Sequence, residues 1–234
     1  MFYNPEIDLN TESFFFNKEE SKHIVKVNRK QSGDILLVTN GLGVLFTTEI
    51  TLASDSKCTV KVISKKVAEK PNYNLHLVVA PTKMNERFEW FLEKATEIGI
   101  TTITPIICDH SERKVINKER FEKIILAAMK QSNQYYLPKL NDAISFADFM
   151  TKSNNDTKLI AHCAEENEKK SLKEILQPNE NITVLIGPEG DFSPKEITLS
   201  IENKYRPVSL GKTRLRTETA AIVTCHSVAF VNET

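Results

Sequence analysis

A chain of 234 residues with an ordinary 40% apolar content has room for one large or two small domains and a real core. Its 31 basic and 31 acidic side chains cancel, so a nucleic-acid partner would have to be gripped by local basic clusters and not by bulk charge. No apolar run reaches membrane-span length, the start Met1-Phe2-Tyr3-Asn4-Pro5-Glu6 lacks a basic or apolar leader region, and the scattered Cys58, Cys108, Cys163 and Cys225 form no C-x-x-C pair; a reduced, cytoplasmic protein is expected.

The first seventy residues read mainly as strands. A short helix is predicted over Lys18–Val27 behind Asn17. Asp34 to Thr39 is a β-branched and leucine run, Asn40-Gly41 signals a two-residue hairpin, and Val44-Leu45-Phe46 returns from it. Thr59 to Ile63 alternates as a further strand. Several short strands with tight turns suggest a small barrel. Lys65 to Asn74, polar and holding Pro71, reads as the linker.

Beyond the linker the period changes. Leu75 to Ala80 is a continuous apolar strand. Asn85 to Ile98 carries Phe88, Phe91, Leu92, Ala95 and Ile98 at helical spacing, with Gly99 as a stop. Ile103 to Cys108 is a strand, Asn117 to Gln131 a helix, and Leu159 to Cys163 a strand; Ser171 to Glu174 forms a capping box. Strands alternating with helices argue for a parallel sheet covered on both faces.

The last fifty residues hold two glycine-bearing loops, each between a short apolar strand and a helix. The first is Ile186-Gly187-Pro188-Glu189-Gly190-Asp191-Phe192, after Ile182–Ile186 and before a Ser193-Pro194-Lys195-Glu196 capping box. The second is Leu210-Gly211-Lys212-Thr213-Arg214-Leu215-Arg216-Thr217-Glu218-Thr219-Ala220, after Pro207–Leu210, with Thr217 expected to cap the helix that follows. Two such loops behind adjacent strands can line one crevice at the carboxyl edge of a parallel sheet. Neither is a phosphate loop: a Walker motif ending at Gly211-Lys212-Thr213 would need glycine where Arg206 stands, and no G-x-G-x-x-G follows a strand. Lys204, Arg206, Lys212, Arg214 and Arg216 cluster without an acidic residue between Asn203 and Thr217, either a phosphate footprint or a solvated basic loop. His23, His76, His110, His162 and His226 do not cluster with cysteines at zinc-ligand spacing, so no metal is expected.

These two loops resemble the cofactor loops of the SPOUT methyltransferases. Together with Pro81-Thr82-Lys83, Arg87-Phe88-Glu89-Trp90, Glu93 to Gly99, Ser111-Glu112-Arg113, Gln131-Ser132 and His23 to Asp34, they make the chain similar, over nearly its whole length, to the 16S rRNA (uracil-N3)-methyltransferases of that superfamily. The resemblance implies an α/β SPOUT domain over 73–234, a parallel sheet with helices on both faces and a C-terminal trefoil knot, behind a PUA-like RNA-binding β-barrel over 1–70. Periodicity alone would stop at an open, unknotted sheet. It also implies S-adenosylmethionine as cofactor, 16S rRNA of the small ribosomal subunit as substrate, methylation at N3 of a uracil (position 1498 in the family) and a homodimer.

On that reading Leu185, Ile186, Gly187, Pro188, Glu189, Gly190, Leu210, Gly211, Leu215 and Thr219 hold the cofactor. Uracil N3 must shed a proton before it can attack a methyl group, so the site needs a positive group facing the ring anion and a proton acceptor. Arg216 and Arg113 are candidates for the first role or for gripping flanking phosphates, and Glu218 either accepts the proton or caps its helix. Lys22, Lys26 and Arg29 in the N-terminal part and Lys83, Arg87, Lys212 and Arg214 in the C-terminal part are the candidate RNA contacts. One departure stands out: where the family carries glutamate and arginine flanking Gln131-Ser132, this chain has Lys130 and Gln134. The alternatives are a tRNA methyltransferase on the same scaffold and a non-catalytic RNA-binding or ribosome-assembly protein.

Overall fold

The computed structural model describes residues 1–152, 156–164 and 169–233. The chain divides into two compact units, residues 1–70 with 129–137 and residues 71–128 with 138–234.

In the first unit, β1 (Phe2–Tyr3), β2 (Ser13–Phe15), β3 (Ile35–Thr39), β4 (Val44–Leu52) and β5 (Thr59–Val67) form a mixed sheet in the order β1-β3-β4-β5-β2. Its curved, PUA-like form is a half-barrel edged by the two shortest strands, β1 and β2. Strand alternation sends Leu36 and Val38 of β3 inward to Phe46, Ile50 and Val60, while Ile35 and Leu37 face out. Helix α1 (Lys18–Lys22) starts where Asn17 accepts a hydrogen bond from the Glu20 amide, and runs on as a π-helical turn, His23–Val27.

Two local expectations change here. The β3–β4 connection spans four residues, Asn40–Gly43, and not two. The Asn40 carboxamide oxygen accepts from the Leu42 and Val44 amides, and the Gly43 amide donates to the Tyr135 carbonyl, so tertiary pairing outweighs the tight-turn preference of Asn-Gly. The linker is also shorter than composition suggests, because β5 continues through Lys65 and Lys66 to pair Val67 with Val44. Lys130, the family departure, is tied within this unit to Glu20 at 2.8 Å.

The second unit is built in chain order from β6 (Leu75–Val79), α2 (Asn85–Ile98), β7 (Thr102–Ile107), α3 (Lys118–Gln131), β8 (Lys139–Leu140), β9 (Ile144–Ser145), α4 (Phe146–Met150), β10 (Thr157–Ala161), β11 (Lys170–Ser171), α5 (Leu172–Ile175), β12 (Ile182–Ile186), α6 (Pro194–Glu202), β13 (Arg206–Ser209) and α7 (Thr217–Asn232). Residues 129–131 at the end of α3 cluster with the first unit. The strands form a parallel sheet, β11-β13-β10-β12-β6-β7-β8, with β9 also on β7. All five residues of β12 are buried, as a central parallel strand with both faces covered requires. On α2 the stripe Phe88, Phe91, Leu92 and Ala95 is buried, and Phe88 packs on Phe121 of α3. Each such ring contributes about 1.5–3 kcal/mol by leaving water. Gly99 ends α2 in the left-handed conformation, φ +105°, where a side chain would be strained. Helix α7 packs on α2 and β6. No described helix is long and apolar enough to cross a membrane.

Candidate functional site

The strand order determines what meets at the carboxyl edge. β12 and β13, expected as adjacent strands from the sequence, are not neighbours; β10 lies between them, pairing Ala161 with Ile186 on one side and with Val208 on the other. The loops after β12 and β13 therefore flank the end of β10, and the three together enclose a cavity of about 630 Å³. Of the expected cofactor residues, Ile186, Gly187, Pro188, Glu189, Leu210, Gly211 and Leu215 line it. Lys212, Arg214 and Arg216 line it too, as do His162, Cys163, Lys169, Asp191 and Thr217.

Side chains lock the two loops together. Thr217 Oγ1 donates to the Gly187 carbonyl at 3.0 Å, and an Arg214 amino group reaches the Glu189 carbonyl at 3.4 Å. Glu189 Oε1 accepts from the Lys83 amide. Asp191, itself left-handed at φ +63°, accepts the Cys163 amide at 2.7 Å and so ties the end of β10 to the first loop. The Ser193–Glu196 capping box forms with Pro194 opening α6, and Glu196 also accepts the Asp109 amide. Gly211 stands at φ +140° with open space where a side chain would begin.

Several expected residues lie elsewhere. Leu185 is fully buried in the core beside Phe192 and Val78, because its side chain points to the opposite face of β12 from its neighbours. Gly190 does not line the cavity: a Cβ there would stand 3.0 Å from His110 Cβ, and His110 Nδ1 lies 3.0 Å from the Gly190 and Asp191 carbonyl oxygens, bracing the loop from behind. Thr219 does not line it either; the helix presents Ala220. Thr217 is not the cap. Arg216, with extended backbone, holds that position without a side-chain hydrogen bond, and Thr217 is already helical, which frees its hydroxyl for Gly187.

The charged candidates also separate. Arg216 is exposed on the cavity wall. Arg113 is outside it, its guanidinium held by the carbonyls of Thr82 at 3.1 Å and Lys83 at 2.8 Å. Glu218 is buried off the cavity, 3.9 Å from Arg87 Nε, and its second oxygen has no hydrogen-bond partner among the described residues. Among the described residues it makes no capping hydrogen bond, although a carboxylate in the first turn of α7 suits the helix dipole. Arg87 thus faces Glu218, and Lys83 pairs with Glu112 at 2.7 Å. In the first unit, Lys22 and Arg29 are exposed and Lys26 lies 3.5 Å from Asp55.

In the sequence His162 is weighed only as a metal ligand, because nothing there places its strand between the two loops. Burial, and then the charge of Lys169, hold its pKa below the ordinary histidine value. Lys169 Nζ donates to its backbone carbonyl at 2.8 Å.

Known proteins give this geometry a context. Residues 68–229 match the family described as RNA methyltransferase domain, and residues 16–63 the RNA methyltransferase PUA domain. The chain is 32% identical over 228 residues to ribosomal RNA small subunit methyltransferase E of Buchnera aphidicola, covering 93% of this chain and 88% of that protein. The crystal structure of a probable rRNA-methyltransferase from Porphyromonas gingivalis superposes with a TM-score of 0.91 at 36% identity, over 99% of this chain and 97% of that one. A methyltransferase structure from Legionella pneumophila, determined with bound S-adenosylmethionine, superposes at 0.86 with 29% identity and the same coverage. With its SPOUT-type sheet and PUA-like unit, the chain belongs to the ribosomal RNA small subunit methyltransferase E family.

Proposed function

We propose that this protein transfers a methyl group from S-adenosylmethionine to N3 of a uracil in 16S rRNA of the small ribosomal subunit. The observation that carries the reading is the cavity at the ends of β10, β12 and β13, with a lining of loop backbone and a rim of Lys212, Arg214 and Arg216. Its residues suit the cofactor. Gly211 leaves open the space that a side chain would take, and loop residues 186–189 and 210–215 form much of the lining. The cofactor bound by the Legionella relative supports the same occupant here.

When bound, S-adenosylmethionine supplies an electrophilic methyl group, and a uracil N3 that has lost its proton is the nucleophile. The chain's task is to align the two and to favour the ring anion. Arg216, on the cavity wall and fixed at the start of α7, is the residue suited to face that anion, while Lys212 and Arg214 suit the flanking phosphates. Glu218, paired with Arg87 behind the wall, serves as a brace for α2 and α7 and not as proton acceptor. Exposed Lys22 and Arg29 of the PUA-like unit, with Lys26, suit a second phosphate contact.

The reading extends to a cytoplasmic homodimer with a knotted C-terminus. Supporting the dimer, α7 buries Ala221, Thr224, Cys225 and Val228 inside the unit but leaves Phe230 65% exposed and Ile222 and Val223 half-buried. The deciding experiment maps methylated nucleotides by mass spectrometry in 16S rRNA from cells with and without this gene. Loss of one N3-methyluridine is expected. An unchanged 16S map, or a change confined to tRNA, refutes the proposal.

A further inference from the structure

His162 is only 7% exposed and lines the cavity, yet neither ring nitrogen has a hydrogen-bond partner among the described residues. Buried polar atoms are nearly always paired, and leaving them unpaired costs stability. The backbone around the ring is, by contrast, firmly held. Ala161 is registered against both Ile186 and Val208, the His162 carbonyl accepts from Lys169, and the next amide, that of Cys163, donates to Asp191. Both nitrogens are covered from solvent, so a ligand in the cavity reaches one of them by a turn of this anchored residue's ring.

Resting on the cofactor reading above, we propose that His162 pairs with a ribose hydroxyl of the bound nucleoside and thereby sets the cavity's preference for a ribosyl cofactor. The chemistry favours a hydroxyl. Burial, and then the charge of Lys169, disfavour the imidazolium against an opposing Asp191, and a neutral imidazole carries one donor and one acceptor nitrogen. A hydroxyl is likewise both donor and acceptor. A carboxylate is better served by Lys169, Lys212 or Arg214 in the same cavity, and a purine face by the apolar Ile186, Val208 and Leu215.

The test is calorimetry on the full chain with S-adenosylhomocysteine and its 2′-deoxy and 3′-deoxy analogues, with thermal unfolding of the ligand-free protein. The wild type should lose roughly tenfold in affinity when the paired hydroxyl is removed. His162→Phe keeps a ring but no nitrogen. It should bind the parent ligand about tenfold more weakly and no longer distinguish it from that deoxy analogue, while its ligand-free unfolding midpoint stays equal or rises. His162→Gln, with a donor and an acceptor, should recover part of the affinity. Two results overturn the proposal while leaving the cofactor reading intact: wild-type affinity in His162→Phe, or undiminished discrimination against both deoxy analogues in that variant. A fall in ligand-free stability of His162→Phe that matches its loss of affinity overturns it too, as a structural role. Failure of the wild type to bind S-adenosylhomocysteine at all sinks the cofactor reading with it.

Discussion

His76 should make the second unit acid-sensitive by a predictable amount. It lies on β6 with its Nε2 2.7 Å from Thr104 Oγ1 and its ring edge-on to Phe149. Burial lowers its pKa from 6.5 to about 4; Lys139 and Lys152 push the same way and Asp156 opposes. The folded form thus resists a proton that the unfolded chain accepts readily. Stability from this group is fully present above the unfolded pKa of 6.5, and it falls as pH drops through the window between 6.5 and about 4. For these two values the loss is about 2 kcal/mol near pH 5 and about 3 kcal/mol near pH 4. The chain's single tryptophan, Trp90, sits on α2 and reports this unit selectively. Urea titrations of Trp90 fluorescence on wild type and His76→Gln, from neutral pH downward, cancel the shared carboxylate background. The stability difference between the two should shift in favour of the variant by roughly 2 kcal/mol by pH 5. Parallel stability curves for the two proteins would refute the reasoning.

The remaining predictions concern the cavity. Gly211→Val should strain a backbone held at φ +140° and weaken cofactor binding in calorimetry, whereas Gly190→Ala, pressed against His110 outside the cavity, should lower the unfolding midpoint with little loss of affinity. Thr217→Val removes the only side-chain donor to the Gly187 carbonyl among the described residues, and should cost about 1–3 kcal/mol, read as weaker cofactor binding or a lower unfolding midpoint. Neutralising Lys212 and Arg214 should reduce the salt dependence of RNA binding by roughly one unit of slope for each phosphate no longer neutralised, measured by filter binding across salt. Arg216→Ala should retain cofactor affinity but lose on the order of a hundredfold in single-turnover rate at saturating RNA; a near-wild-type rate there removes Arg216 from catalysis.

How far the site could be read in advance depended on whether a residue's role is local. The Ser193–Glu196 capping box and the α2 stripe with its Gly99 stop are encoded within a few residues of where they form. Roles set by distant partners were less legible. Arg113 and Arg87 look like free cations in the sequence, yet one clasps the carbonyls of Thr82 and Lys83 and the other faces buried Glu218. The four-residue turn at Asn40–Gly43 has the same origin, since Tyr135 lies far along the chain from Gly43. Spacing carries no information about such pairings.

His162 follows from the same limit, one level higher. β12 and β13 are consecutive strands joined by α6, and consecutive strands usually lie side by side. Here β10 occupies the place between them, so a strand end remote in sequence from both loops becomes a wall of their cavity. The usual rule for ligand sites then explains more than the loops themselves. Chains diverge to either side of β10, the crevice opens at its carboxyl end, and the residue just past that end is His162. A histidine placed there for packing would have paired its nitrogens within the fold. Leaving both without a partner among the described residues costs stability, and part of that cost is recovered if a ligand hydroxyl completes one bond. The stability measurement on His162→Phe therefore carries as much weight as the affinity: a site kept for binding should lose ligand without losing fold.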